Sequence, residues 1–172
     1  MLDVMKKVWT LLLICCSTAA MAQMQAAQKI IPDYSHETLI KAPTIKIWRT
    51  IRNLPLVKDY SNGTIKDVQI VTEGETRYRD ITFTDNRKRR DIIDQVHESY
   101  KFFVFSIVSP LPAGITHATV TALVESVPDK DDTSVVRWGI MLEGDKKSRK
   151  PLVDTLSAEI ASYEAGLKKL LE

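Results

Sequence analysis

Cysteine is almost absent from this 172-residue chain, and the two that occur, Cys15 and Cys16, stand side by side near the N-terminus. Loss of that segment leaves no disulfide, no thiol nucleophile and no cysteine-based metal site. Glycine is scarce as well, six residues in all, and no Gly-rich phosphate loop, nucleophile elbow or metalloprotease motif is present. The three histidines, His36, His97 and His117, lie far apart without ligand spacing, so neither a metal site nor a cofactor is expected. Charge of one sign is also missing: 24 basic residues face 22 acidic ones. That balance offers no electrostatic case for a nucleic-acid partner. No internal repeat or low-complexity stretch divides the chain, and its length fits one domain.

What is there begins with a secretory signature over residues 1–22. Lys6 and Lys7 form a positive start, Val8 to Cys16 is an apolar run too short to cross a bilayer, and Ala20-Met21-Ala22 has the small-x-small form of a cleavage site. Cleavage after Ala22 is expected, with export to a periplasm-like space or the exterior. It removes Asp3, Lys6 and Lys7, leaving 22 basic and 21 acidic residues of the 24 and 22. Residues 23–35 are expected to be a loose polar leader, and 36–172 the folded domain.

The domain alternates between two periodicities. His36 to Lys41 forms a short strand that Ala42-Pro43 stops, and Pro43 suits the first turn of a helix running to about Asn53. Pro55 to Tyr60 forms a second short helix, and Ser61-Asn62-Gly63 turns. Six strands follow at Ile65–Val71, Thr76–Phe83, Arg87–Glu98, Phe102–Val108, Thr116–Val127 and Ser134–Glu143, with a charged turn expected over Pro128–Thr133. Short turns between consecutive strands make an antiparallel meander. Pro151 to Leu171 then carries Leu152, Leu156, Ile160, Tyr163, Leu167 and Leu170 or Leu171 at helical spacing. The class is α+β: a seven-stranded curved antiparallel sheet wrapped around a long C-terminal helix, with two short helices after the first strand. Seven strands span roughly 30 Å whereas one helix is only about 10–12 Å wide. The sheet must therefore curl, enclosing either a cavity or a core that side chains fill.

Ile47-Trp48, Thr76 to Phe83, Arg90-Asp91-Ile92-Ile93, Ser109-Pro110-Leu111-Pro112, Val136-Arg137-Trp138 and Tyr163 to Leu167 occur in an order and spacing that resembles the SRPBCC, or START-like, helix-grip superfamily. That group includes START lipid-transfer domains, birch-pollen-type allergens and polyketide cyclase/dehydrase-like proteins, and the chain looks closest to the last of these. The likeness covers about His36 to Glu172. It departs at Asp91, where the family often has Glu, and at Val104, where it often has an aromatic. The resemblance implies binding of apolar or amphipathic molecules in a central cavity, with cyclisation or dehydration in some members.

The candidate site residues are Tyr60, Arg79, Asp91, Trp138, Leu156, Ile160 and Tyr163. If Thr84-Asp85-Asn86 is a three-residue turn, Arg79 faces Asp91 across the hairpin; a two-residue turn would set Arg79 opposite Ile92. The pair either orients a polar ligand group inside the cavity or is a cross-strand ion pair in solvent contributing under about 1 kcal/mol. Trp138 shares a face with Val136, Ile140 and Leu142 and serves as core or pocket wall, as do Tyr60 and Tyr163. Leu156, Ile160 and Tyr163 would touch a ligand from the helix. Arg87-Lys88-Arg89-Arg90 opens a strand, so alternation splits it between faces, and a solvated hairpin edge is the default reading. Lys146 to Lys150 is expected just ahead of the last helix, facing its positive dipole end, where transient contact with an anionic membrane surface is the conditional expectation.

The leading functional expectation is an exported carrier that holds a small hydrophobic or amphipathic molecule without catalysis. The alternatives are a polyketide cyclase/dehydratase-type enzyme using Arg79 and Asp91, or a protein-binding accessory factor with no ligand. In the enzyme, Arg79 would polarise a carbonyl while Asp91 or Tyr78 moved a proton.

Overall fold

The computed structural model describes residues 31–172. The expected signal segment, its two cysteines and most of the leader lie outside the described residues. The elements run β1 (Tyr34–Ile40), α1 (Thr44–Arg52), a 3-10 turn (Leu54–Leu56), α2 (Val57–Tyr60), β2 (Ile65–Glu73), β3 (Thr76–Phe83), β4 (Lys88–His97), β5 (Phe102–Ser109), β6 (Ile115–Val127), β7 (Lys130–Gly144) and α3 (Lys146–Leu171). All seven strands form one sheet in the order β1-β7-β6-β5-β4-β3-β2. The meander from β2 to β7 is as the turns dictate, and β1 closes the far side by pairing antiparallel with β7, Tyr34 opposite Ile140.

Three elements start two or more residues earlier than the sequence predicts. β1 starts at Tyr34, inside the stretch expected to be a loose leader, and Asp33 is already engaged, accepting from the Leu142 amide at 2.7 Å. β7 begins at Lys130, so Pro128 and Asp129 alone make the turn, with Asp129 in the left-handed region at φ 61°. Lys130 pairs with Val127 across this turn, and Asp131 and Asp132 fall in the register irregularity before Ser134 pairs with Ser126, their side chains in water.

The third difference is in α3, which begins at Lys146 rather than Pro151 and is 26 residues long. Asp145 caps it, its side chain accepting from the Lys147 amide at 3.2 Å. One satisfied cap supports an added turn and more, at the cost of the single hydrogen bond that Pro151 cannot donate. The basic cluster therefore occupies the first turns of the helix instead of preceding it. Arg149 bonds the Gly144 carbonyl and Asp33, and Lys150 pairs with Asp154 one turn on.

The inner face of the sheet and the apolar stripe of α3 make a single core. Val136, Trp138, Ile140 and Leu142 from β7 and Ala118, Val120, Ala122 and Val124 from β6 are buried, as alternation requires. Leu152, Leu156, Ile160, Tyr163, Leu167 and Leu171 are the buried stripe, while Leu170 stays half exposed. α1 plugs one side with Ile47, Trp48 and Ile51, and the Trp48 indole donates to Glu98 at 2.7 Å. Gly166 sets how closely α3 approaches α2: a Cβ there would lie 2.1 Å from the Tyr60 carbonyl oxygen. The Ser162 hydroxyl secures the same junction by donating to the Ser61 carbonyl at 2.7 Å.

Candidate functional site

The β3–β4 hairpin positions the charged part of the site. Its loop is the three-residue form: the Asn86 amide donates to the Phe83 carbonyl at 3.0 Å, the Phe83 amide to the Arg87 carbonyl at 2.9 Å, and Asn86 holds φ 66°. Asn is among the few residues that tolerate that region. This register sets Arg79 opposite Asp91. The pair faces inward, with side chains 1% and 0% exposed.

Arg79 donates to one carboxylate oxygen of Asp91 from Nη2 at 2.9 Å and from Nε at 3.3 Å. Its guanidinium lies over the Phe105 ring, 4.3 Å from the centroid. Burial works most strongly against the charged form of Arg79, but Asp91, Tyr163 and Tyr60 together outweigh it and the pKa is raised. The pair is thus neither in solvent nor free to meet a ligand.

The structure corrects the default reading of Arg89 as part of a solvated edge. In β4 it shares the inward phase of Asp91, and its side chain is 8% exposed. Its Nη2 donates to Asp91 at 3.2 Å. Nη1 and Nη2 grip the two carboxylate oxygens of Glu159 on α3 at 2.6 and 2.7 Å, the fork-on-fork geometry of strong guanidinium–carboxylate pairs. The Tyr163 hydroxyl donates to the same carboxylate. Burial pushes Glu159 up, yet the Arg89 charge and these hydrogen bonds prevail and hold its carboxyl below the usual range. Burial also lifts the Tyr163 phenol well above its ordinary value and Tyr60 to about 12. Arg79, Asp91, Arg89 and Glu159 form a chain of alternating charge that sums to zero inside the protein.

Glu159 escaped the sequence reading, although a signal existed. It lies three residues after Leu156 and four before Tyr163, an acid in the middle of an apolar stripe, where an unpaired charge would not be tolerated.

Of the seven candidates, Tyr60, Arg79, Asp91, Trp138, Ile160 and Tyr163 pack together in the core, each at most 1% exposed. Tyr163 meets Tyr60 edge-on at 5.6 Å and Trp138 at 5.9 Å between centroids. Leu156 lines open space. It borders a cleft of about 450 Å³ between the first half of α3 and the sheet. The cleft wall is apolar, made by Phe83, Ile107, Pro110, Pro112, Leu152 and Leu156, and Arg87, Lys88, Arg89 and Glu159 stand along its side. The expected space between helix and sheet therefore opens at the N-terminal end of α3, while the volume under its middle is filled by aromatic rings and the ionic chain.

No protein-family model and no curated protein matches this sequence. Solved structures do match. The protein XoxI from Bacillus cereus aligns with a TM-score of 0.69 at 17% identity, over 80% of this chain and 94% of its own. Norcoclaurine synthase from Thalictrum flavum aligns with a TM-score of 0.65 at 18% identity, over 80% of this chain and 91% of its own. The di-domain ARO/CYC protein BexL of the BE-7585A biosynthetic pathway aligns with a TM-score of 0.66 at 19% identity, over 78% of this chain and 46% of its own. The seven-stranded antiparallel sheet, the long C-terminal helix gripped by it and these three likenesses together assign the chain the helix-grip fold.

Proposed function

We propose that the protein holds a small hydrophobic or amphipathic molecule in the cleft beside the first half of α3 and carries it without chemistry, outside the cytoplasm and after loss of residues 1–22. The observation behind this reading is the apolar wall around about 450 Å³, a volume within the roughly 300–1,000 Å³ of small-molecule pockets. Apolar ligand surface buried there contributes roughly 25 cal/mol per Å². The fold accommodates small organic molecules elsewhere: norcoclaurine synthase, at 20% identity, has an X-ray structure in complex with dopamine and hydroxybenzaldehyde.

The state of the ionic groups supports a carrier over a catalyst. A cyclase or dehydratase would need Arg79 at a carbonyl and Asp91 at a proton, and both are sealed beneath Phe105, Arg89 and α3. Arg89 and Glu159 reach the cleft but are bonded to each other.

The neutral dye 1-aminoanthracene tests the site. Saturable binding with enhanced emission is expected, together with its loss in Thr155→Trp, which fills the cleft from an exposed position of α3. Native mass spectrometry of the gently purified protein is expected to show a co-purified small molecule. Absence of saturable dye binding, or binding indifferent to Thr155→Trp, would contradict the carrier reading.

A further inference from the structure

Glu159 occupies a position that a ligand's own carboxylate would fit. Its two oxygens take both Nη groups of Arg89, and the pair sits where the apolar wall of the cleft meets the interior of the protein. Glu159 reaches this position from the helix face bordering the cleft, where its side chain retains 10% exposure. The rest of the charge along the cleft is positive. Lys88 has no ion-pair partner among the described residues, and Arg87 pairs with Asp85 out in solvent.

We infer that the carried molecule is a single-headed anionic amphiphile, an aliphatic carboxylate, whose tail lies on Phe83, Ile107, Leu152 and Leu156 while its head displaces Glu159 from Arg89. This rests on the cleft being the binding site. The exchange keeps the buried charge balanced: Arg79, Asp91 and Arg89 with the incoming head again sum to zero, and Glu159 is hydrated outside. An anion entering beside a Glu159 still in place would leave the network one negative charge in excess, a costly arrangement in a desolvated site. Tyr163 is positioned to donate to the new carboxylate as it does to Glu159. A neutral amphiphile with the same tail gains the apolar contact but cannot replace Glu159 on the guanidinium. Glu159 thus acts as an internal competitor that sets both affinity and head-group selectivity.

Decanoate and 1-decanol, which share a tail length, separate these statements by calorimetric titration of the purified protein. Decanoate is expected to bind about two- to fivefold more tightly than decanol, because the exchange on Arg89 is carboxylate for carboxylate and Lys88 at the rim adds an attraction that only the anion feels. Glu159→Gln removes the competing charge and is expected to tighten decanoate several-fold without changing decanol. If that variant loses its near-ultraviolet dichroism, Lys88→Gln at the exposed rim is used instead, with decanoate weakened and decanol unaffected. Equal affinities for the two probes would overturn the inference while leaving the carrier reading intact. So would Glu159→Gln weakening decanoate. Failure of both probes in a protein that still binds 1-aminoanthracene overturns the inference alone, whereas failure of all three overturns the carrier reading with it.

Discussion

Replacing Arg79 by methionine measures how far the interior charges depend on one another. Arg79 and Asp91 are 1% and 0% exposed, and Asp91 has one other guanidinium, Arg89, already held by Glu159. Methionine keeps much of the volume and the contact with Phe103 and Phe105, so an added cavity is a minor part of the change. The main effect is a stranded negative charge. Removing one partner of a buried pair costs about 3–5 kcal/mol, against about 0–1 kcal/mol for an exposed pair. With a urea slope of about 2 kcal/mol per M, the midpoint falls by about 1.5–2.5 M. Adding Asp91→Leu removes the stranded charge and leaves Arg89 with Glu159. The double variant is expected within about 1 kcal/mol of the parent or above it, since an apolar replacement of a buried ion pair is often neutral or stabilising. A single-variant loss below about 1 kcal/mol at unchanged slope would refute the argument, as would losses that merely add in the double variant.

Two further outcomes follow from the same geometry. The folded-state pKa of Glu159 lies below its ordinary 4.5 because Arg89, Tyr163 and Arg79 together outweigh burial, so the folded protein binds that proton more weakly than the unfolded chain. The stabilisation is complete above about pH 4.5 and is lost as pH falls through the lowered value. Urea midpoints between pH 3 and 7 are expected to fall less steeply on the acid side in Glu159→Gln, and an identical slope would contradict the assignment. Gly166→Ala improves helix propensity by about 1 kcal/mol. The new Cβ would nevertheless stand 2.1 Å from the Tyr60 carbonyl oxygen, and a net loss of about 1–3 kcal/mol is expected on denaturation; a neutral result would mean that α3 can shift off α2.

Local periodicity by itself determined which residues turn inward. Alternation through Val136, Trp138, Ile140 and Leu142, and the three-and-four spacing from Leu152 to Leu171, specify the buried faces because each element has a fixed repeat. The hairpin register was also local, since a three-residue loop pairs Arg79 with Asp91 and no distant residue enters that relation. Only the tertiary structure decided what lies above that pair. Arg89 and Glu159 are 70 residues apart, and nothing in either neighbourhood says that the helix face carrying Glu159 docks over the strand carrying Arg89. The extent of α3 was likewise ambiguous, because Asp145 as a cap and Pro151 as a start are both sound local signals. Whether the space under the helix is open or filled depends on the summed volume of Trp138, Tyr163, Tyr60 and Phe105 once they meet. Packing is a property of contacts between distant segments, and the pocket lies at the end of α3 where those large side chains run out.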